Sequence, residues 1–138
     1  MSEENEEAMR RALELWNRGD LDVFMELMEE LMHPDLEWYP VIAQLVEGPE
    51  TVYRGISGMR RFWEDFHEVF DFRLGETDIR DLGEKLVVLI DASVTGRSSG
   101  VDLETPLAMV CTFDGGRMIR MDSYLDHAEA LEAAGLSE

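Results

Sequence analysis

The sequence predicts an α+β domain in which a strongly curved antiparallel sheet wraps around N-terminal helices. In the first half of the chain apolar residues recur at three- and four-residue spacing; from Asp71 onward they fall in extended segments separated by short turns. Helices placed ahead of a curled sheet must cover one of its faces, which forms a conical pocket where a small ligand can sit.

The first helix is read from Met9, Ala12, Leu13 and Trp16, which share one helical face. Gly19 suits the residue just past its end, and Asp20 suits the cap of a second helix carrying Phe24, Leu27, Met28 and Leu31. His33-Pro34-Asp35 stops that helix, and "LEWYP" reads as a short strand. The stretch "VIAQLVEGPE", residues 41–50, reads as a long connection of the kind that forms lids. "TVYRG" is a second short strand, and Met59, Phe62, Trp63, Phe66 and Phe70 define a strongly aromatic third helix. Four extended segments follow, "FRLGETDI", "KLVVLIDASVTG", "VDLETPLAMVCTF" and "RMIRMDSYL", parted by "DLGE", "RSSG" and "DGG". The last helix, "DHAEALEAAG", has Asp126 as its cap and Gly135 as its stop.

The 138 residues suit one domain spanning 1–138 with a single core. The 31 acidic residues outweigh 12 basic ones, of which only Lys85 is a lysine, and the net charge of -19 repels phosphate. Neither nucleic acid nor a membrane is expected as a partner. Cys111 is the only cysteine, which excludes an internal disulfide and suggests a reducing compartment. The acidic start "MSEENEEAMRR" is unlike a secretory signal and no apolar run approaches a membrane span, so a cytoplasmic location is expected. His33, His67 and His127 lie far apart and no glycine-rich phosphate loop occurs, so neither a metal nor a cofactor is expected.

A carboxylate, Asp91, interrupts the apolar run at 85–96. Val87, Leu89, Asp91, Ser93 and Thr95 share one strand face; Leu86, Val88, Ile90, Ala92 and Val94 share the other. Both faces begin apolar, which suits helices on one side and a second subunit on the other, a homodimer through the sheet with Val88 and Ile90 outermost. Strand register decides where Asp91 points. An even-length "RSSG" hairpin puts it beside Pro106 and Tyr124 on the polar face with Asp122 and Arg120. An odd loop or a bulge puts it beside Leu107 and Ser123, facing the hollow with Leu103, Met109, Ile119 and Met121.

The segments "LWNRGDLD", "HPDLEW", "VYRGISGMRRFW", "SSGVDLETPLA", "FDGGRMIR" and "YLDHAEALEAAGL", in this order, resemble the SnoaL-like branch of the nuclear transport factor 2 superfamily. The likeness runs over nearly the whole chain. It implies a cone-shaped apolar pocket, often in a homodimer, shared by ketosteroid isomerases, polyketide cyclases, epoxide hydrolases and non-catalytic binding proteins. In the hydrolases the matching strand carries an Arg-x-Asp pair inside the pocket, which implies an inward Asp91. Leu89 stands where their arginine would be, and Ser123 where their second carboxylate belongs. The isomerases' base site reads Tyr39-Pro40 here, and Trp16 replaces their helix-1 tyrosine.

A carboxylate in a dry cavity gains proton affinity and becomes useful for acid–base work, so an inward Asp91 is the candidate catalytic group. Trp16, Tyr39, Trp63, His67, Leu107, Met109, Met121 and Ser123 are the candidate ligand contacts. Two functions fit: a cofactor-independent isomerase, cyclase or hydrolase acting on a small apolar metabolite, and a binding module without chemistry.

Overall fold

A computed structural model of the chain describes residues 2–48 and 50–136. Two amphipathic helices come first, α1 (Ser2–Arg18) and α2 (Leu21–Leu31), followed by β1 (Met32–Tyr39), α3 (Val41–Glu47), β2 (Tyr53–Arg54) and α4 (Gly55–Phe66). The strands β3 (Phe70–Asp81), β4 (Lys85–Gly96), β5 (Asp102–Asp114) and β6 (Arg117–Tyr124) make an antiparallel meander, and α5 (His127–Ala133) ends the fold. The α+β class expected from the sequence is the observed one.

Local chemistry explains most boundaries. Gly19, at φ 79, closes α1 with its N–H bonded to the Trp16 carbonyl, while the Asp20 N–H reaches the Leu15 carbonyl. This is the paired-bond stop that a left-handed glycine permits. Asp126 caps α5 by accepting from the Ala128 N–H, and Gly135 stands just past its end at φ 87. Asp20 departs from expectation: its side chain makes no capping bond to α2, and its main-chain carbonyl accepts from Phe24 instead. The connection at 41–50 also differs, because Val41–Glu47 folds as a helix anchored by buried Ala43. Leu45 and Val46 remain exposed on it.

The six strands lie in the order β2-β1-β6-β5-β4-β3. The sheet is mixed, since β1 runs parallel to β6 while the other pairs are antiparallel. Register shifts in β3 between Leu74 and Thr77, and at the β5–β6 pair between Thr112 and Phe113, bend the sheet. One face carries Leu86, Val88, Ile90 and Ala92 of β4 with Cys111 and Met121; α1, α2 and α4 bury it under Leu15, Met25, Met28 and Met59. The other face carries Val87, Leu89, Ala108 and Val110, and α5 covers it with Ala130 and Leu131.

This arrangement corrects the ground on which a sheet-mediated dimer was expected. Val88 and Ile90 are fully buried under the helices, and the second apolar face is covered by the chain's own C-terminal helix.

Burial also fixes two protonation states. The Cys111 thiol is pushed up to about 12, first by burial and then by the Asp122 charge. The Tyr53 hydroxyl is pushed up to about 12 by burial and by Glu47 and Asp65. Both groups fold neutral, so their contribution to stability is complete below their ordinary values of 9.0 and 10.0 and is lost as pH rises toward about 12. Urea midpoints are expected to hold steady up to about pH 9 and to fall beyond it. Cys111 should resist thiol reagents at neutral pH until the chain unfolds.

Candidate functional site

The site grows from the way α1 ends. β3 is an edge strand, so every second residue turns its backbone N–H and C=O away from the sheet. At Leu74 both groups are taken by Asn17. Its side-chain amide donates to the Leu74 carbonyl at 2.6 Å, and its side-chain oxygen accepts from the Leu74 N–H at 2.9 Å. Asn17 thus acts as one residue of a missing neighbouring strand. It holds the last turn of α1 against β3, with Trp16 beside it.

Trp16 meets the Trp63 ring edge-on at 5.5 Å, with Phe24 at 5.4 Å and Phe72 at 6.4 Å. Trp63 lies on α4 because the aromatic residues there repeat at helical spacing, and Phe62 and Phe66 face inward while Trp63 stays half-buried. His67 follows one turn later and stacks on Trp63 at 4.9 Å, with the rings 8° from parallel. Its Nδ1 lies 2.8 Å from the Trp63 carbonyl oxygen. A carbonyl only accepts, so Nδ1 carries the proton, and in the neutral ring Nε2 is left with its lone pair.

These elements enclose a cleft of about 180 Å³ between the ends of α1 and α4 and the start of β3. Its walls are Trp16, Trp63, Phe62, Phe66, Phe70 and Phe72, and its rim is Asn17, Arg18, His67, Asp71, Arg73 and Arg97. Arg73 donates to the Asn17 carbonyl at 3.1 Å, and Arg97 donates to the His67 carbonyl. Asp71 stands 3.9 Å from both guanidinium groups.

The residues singled out from the sequence divide into four groups. Trp16, Trp63 and His67 come together in the cleft. Leu107 and Met109 are half-buried against the core, and Met121 is buried in it, so these three pack on the helix-covered face and are not among the residues that line the cleft. Tyr39 and Ser123 border a separate, wider groove on the β1–β6 side together with Arg54, Arg120 and Asp122. There the Tyr39 hydroxyl donates to Glu37 at 2.9 Å and Arg120 lies over the Tyr39 ring. That bond raises the Tyr39 pKa, while the Arg54 hydrogen bond, ahead of the Tyr39 one, holds Glu37 below the usual carboxylate range.

Asp91 is the main correction. It pairs with Pro106, lies on the same face as Leu89 and Val87, and is exposed. The cause is the hairpin: Thr95 pairs with Asp102, which encloses an even number of residues and turns Ile90, rather than Asp91, toward the helices. It borders an open depression with Ser93, Glu104 and Pro106. The case for Asp91 as a dry acid–base group therefore fails. Asn17, Arg18, Arg73 and Arg97 were not anticipated as site residues, since Asn17 and Arg18 close α1 while Arg73 lies in β3 and Arg97 in the turn between β4 and β5, far apart in sequence.

The comparisons agree with this fold. A protein of the nuclear transport factor 2-like type from Burkholderia pseudomallei, of unknown function, is 22% identical, with 93% of this chain and 95% of that one aligned at a TM-score of 0.74. TerC, co-crystallized with polyporic acid, is 23% identical over 93% of this chain and 95% of its own, at 0.70. A candidate polyketide cyclase from Xanthomonas campestris is 13% identical over 93% and 94%, at 0.73. No curated protein matches the chain. The family model for the SnoaL-like domain matches residues 9–121, and the chain belongs to that family.

Proposed function

We propose that this chain is a small-molecule-binding protein that seats a flat, largely apolar group in the cleft between Trp16 and Trp63. One observation carries the reading: Trp16, Trp63 and His67, from two separate helices, converge on one aromatic-walled opening of about 180 Å³. Space of that order holds roughly one aromatic ring. Membership of the SnoaL-like family supports it, as does the co-crystallization of TerC with an organic acid.

Acid–base turnover without a cofactor is the second reading, favoured by the orientation of His67. With Nδ1–H fixed on the Trp63 carbonyl, Nε2 is the atom that would accept a proton from the carbon beside a bound carbonyl and then return it.

Titration with benzamide is expected to shift the indole N–H resonances of Trp16 and Trp63, and Trp16→Ala should weaken binding at least about tenfold. Indoles that neither benzamide nor its charged counterpart benzoate shifts overturn the binding reading. For the second reading, phenylacetone in heavy water should take up deuterium beside its carbonyl in the presence of the protein. His67→Gln should stop that exchange, and Asp91→Asn should alter neither binding nor exchange. No exchange, or exchange that survives His67→Gln, removes His67 from the chemistry.

A further inference from the structure

The cleft's charge is opposite to that of the molecule around it. Among 31 acidic and 12 basic residues the cleft lining includes one of the first, Asp71, and three of the second, Arg18, Arg73 and Arg97. Part of this surplus answers a structural need. α1 and α4 both end here, and each helix end carries about half a negative charge. Arg73 and Arg97 each spend one N–H on a carbonyl of those final turns. Two helix ends offset about one unit of the surplus, so about one positive charge is left over. Among the described residues Arg18 has no carboxylate partner, and the side chains of Arg73 and Arg97 remain 63% and 49% exposed.

From this we infer that the ligand of the cleft is a monoanionic aromatic acid of about one ring, whose ring lies among Trp16, Trp63 and Phe72 and whose acid group meets the guanidinium rim. The inference rests on the binding reading above and adds the charge and the size of what is bound. A planar anion satisfies both halves of the lining. A neutral ring leaves the guanidinium groups to water, and a small anion without a ring leaves the aromatic wall uncovered. Guanidinium groups suit a carboxylate because their donors form a flat fork matching its two oxygens.

The test compares benzoate, its neutral isostere benzamide and the ringless anion acetate on the full chain, by calorimetry and by the Trp16 and Trp63 indole resonances. Benzoate should bind about tenfold or more tighter than either of the others, the margin expected of a charge-assisted hydrogen bond. Added salt should weaken benzoate alone. Arg97→Gln should remove most of the preference. Arg18→Gln, which breaks no hydrogen bond within the fold, should reduce it about threefold while lowering the folding equilibrium constant no more than about fivefold, the loss of one cation at a helix end. Benzamide binding as tightly as benzoate, or a preference untouched in both arginine variants, overturns the charge assignment and leaves the cleft reading intact. Acetate matching benzoate overturns the aromatic half. If none of the three binds at millimolar concentration, the cleft reading itself fails and takes the inference with it.

Discussion

Gly55→Val is expected to destabilise the fold by about 2–5 kcal/mol, the sum of a left-handed backbone penalty and an overpacking cost. Gly55 opens α4 at φ 64, a conformation that a β-branched residue scarcely adopts. It is also buried at the crossing of α4 over the chain before β1 is complete: a Cβ there would stand 2.7 Å from the Pro34 carbonyl oxygen. That oxygen belongs to the backbone and cannot swing aside as a flexible side chain would. Gly19→Ala provides the control. Gly19 has the same sign of φ, at 79, but nothing lies within 4 Å of its would-be Cβ. Only the backbone penalty of about 1–2 kcal/mol applies there. Urea unfolding of both variants checks the pair, and equal midpoints would show that the Pro34 contact is immaterial.

Asn17→Ala is expected to cost about 2–3 kcal/mol, because both backbone groups of Leu74 lose their partners at a half-buried site where water replaces them only in part. The larger effect falls on the cleft. Without the amide bridge the last turn of α1 is no longer fixed to β3, so the spacing between Trp16 and Phe72 relaxes. Amide exchange at Leu74 should quicken by at least about tenfold, the factor that follows from losing roughly 1.4 kcal/mol of local protection. Benzoate binding should fall in the same variant. Unchanged exchange at Leu74 would remove Asn17 from its bridging role.

The elements were legible wherever one local rule governed them. Met9, Ala12 and Trp16 mark α1, Phe24 and Met28 mark α2, and the alternation around Asp91 marks β4 over its observed bounds, because periodicity registers which side of an element is dry. The residues 41–50 misled because Gly48 and the acidic ending suggest a loop, whereas burial of Ala43 is a tertiary effect. Asp91 shows a sharper limit. Its two faces were correctly separated, but the choice between them depended on the parity of a hairpin. The family resemblance favoured the wrong side, since the Arg-x-Asp pair that would hold such an acid inward is absent here. The cleft was half legible. Trp16, Trp63 and His67 stood out by type, whereas the guanidinium rim is assembled from α1, β3 and the β4–β5 turn, which are brought together by tertiary contacts such as the Asn17 bridge and the Arg97 bond to the His67 carbonyl.

The parallel pairing of β1 with β6 joins the strand nearest the start of the chain to the last strand. Synthesis delivers α1, α2 and β1 to the ribosome exit well before the segment ending at Tyr124 exists, so their apolar stripes wait without a platform. The β3–β6 meander, built from sequential hairpins, can close first and then receive the waiting N-terminal unit. Shortened polypeptides that stop before Arg117 should therefore be captured by chaperones or degraded, however intact their early helices are.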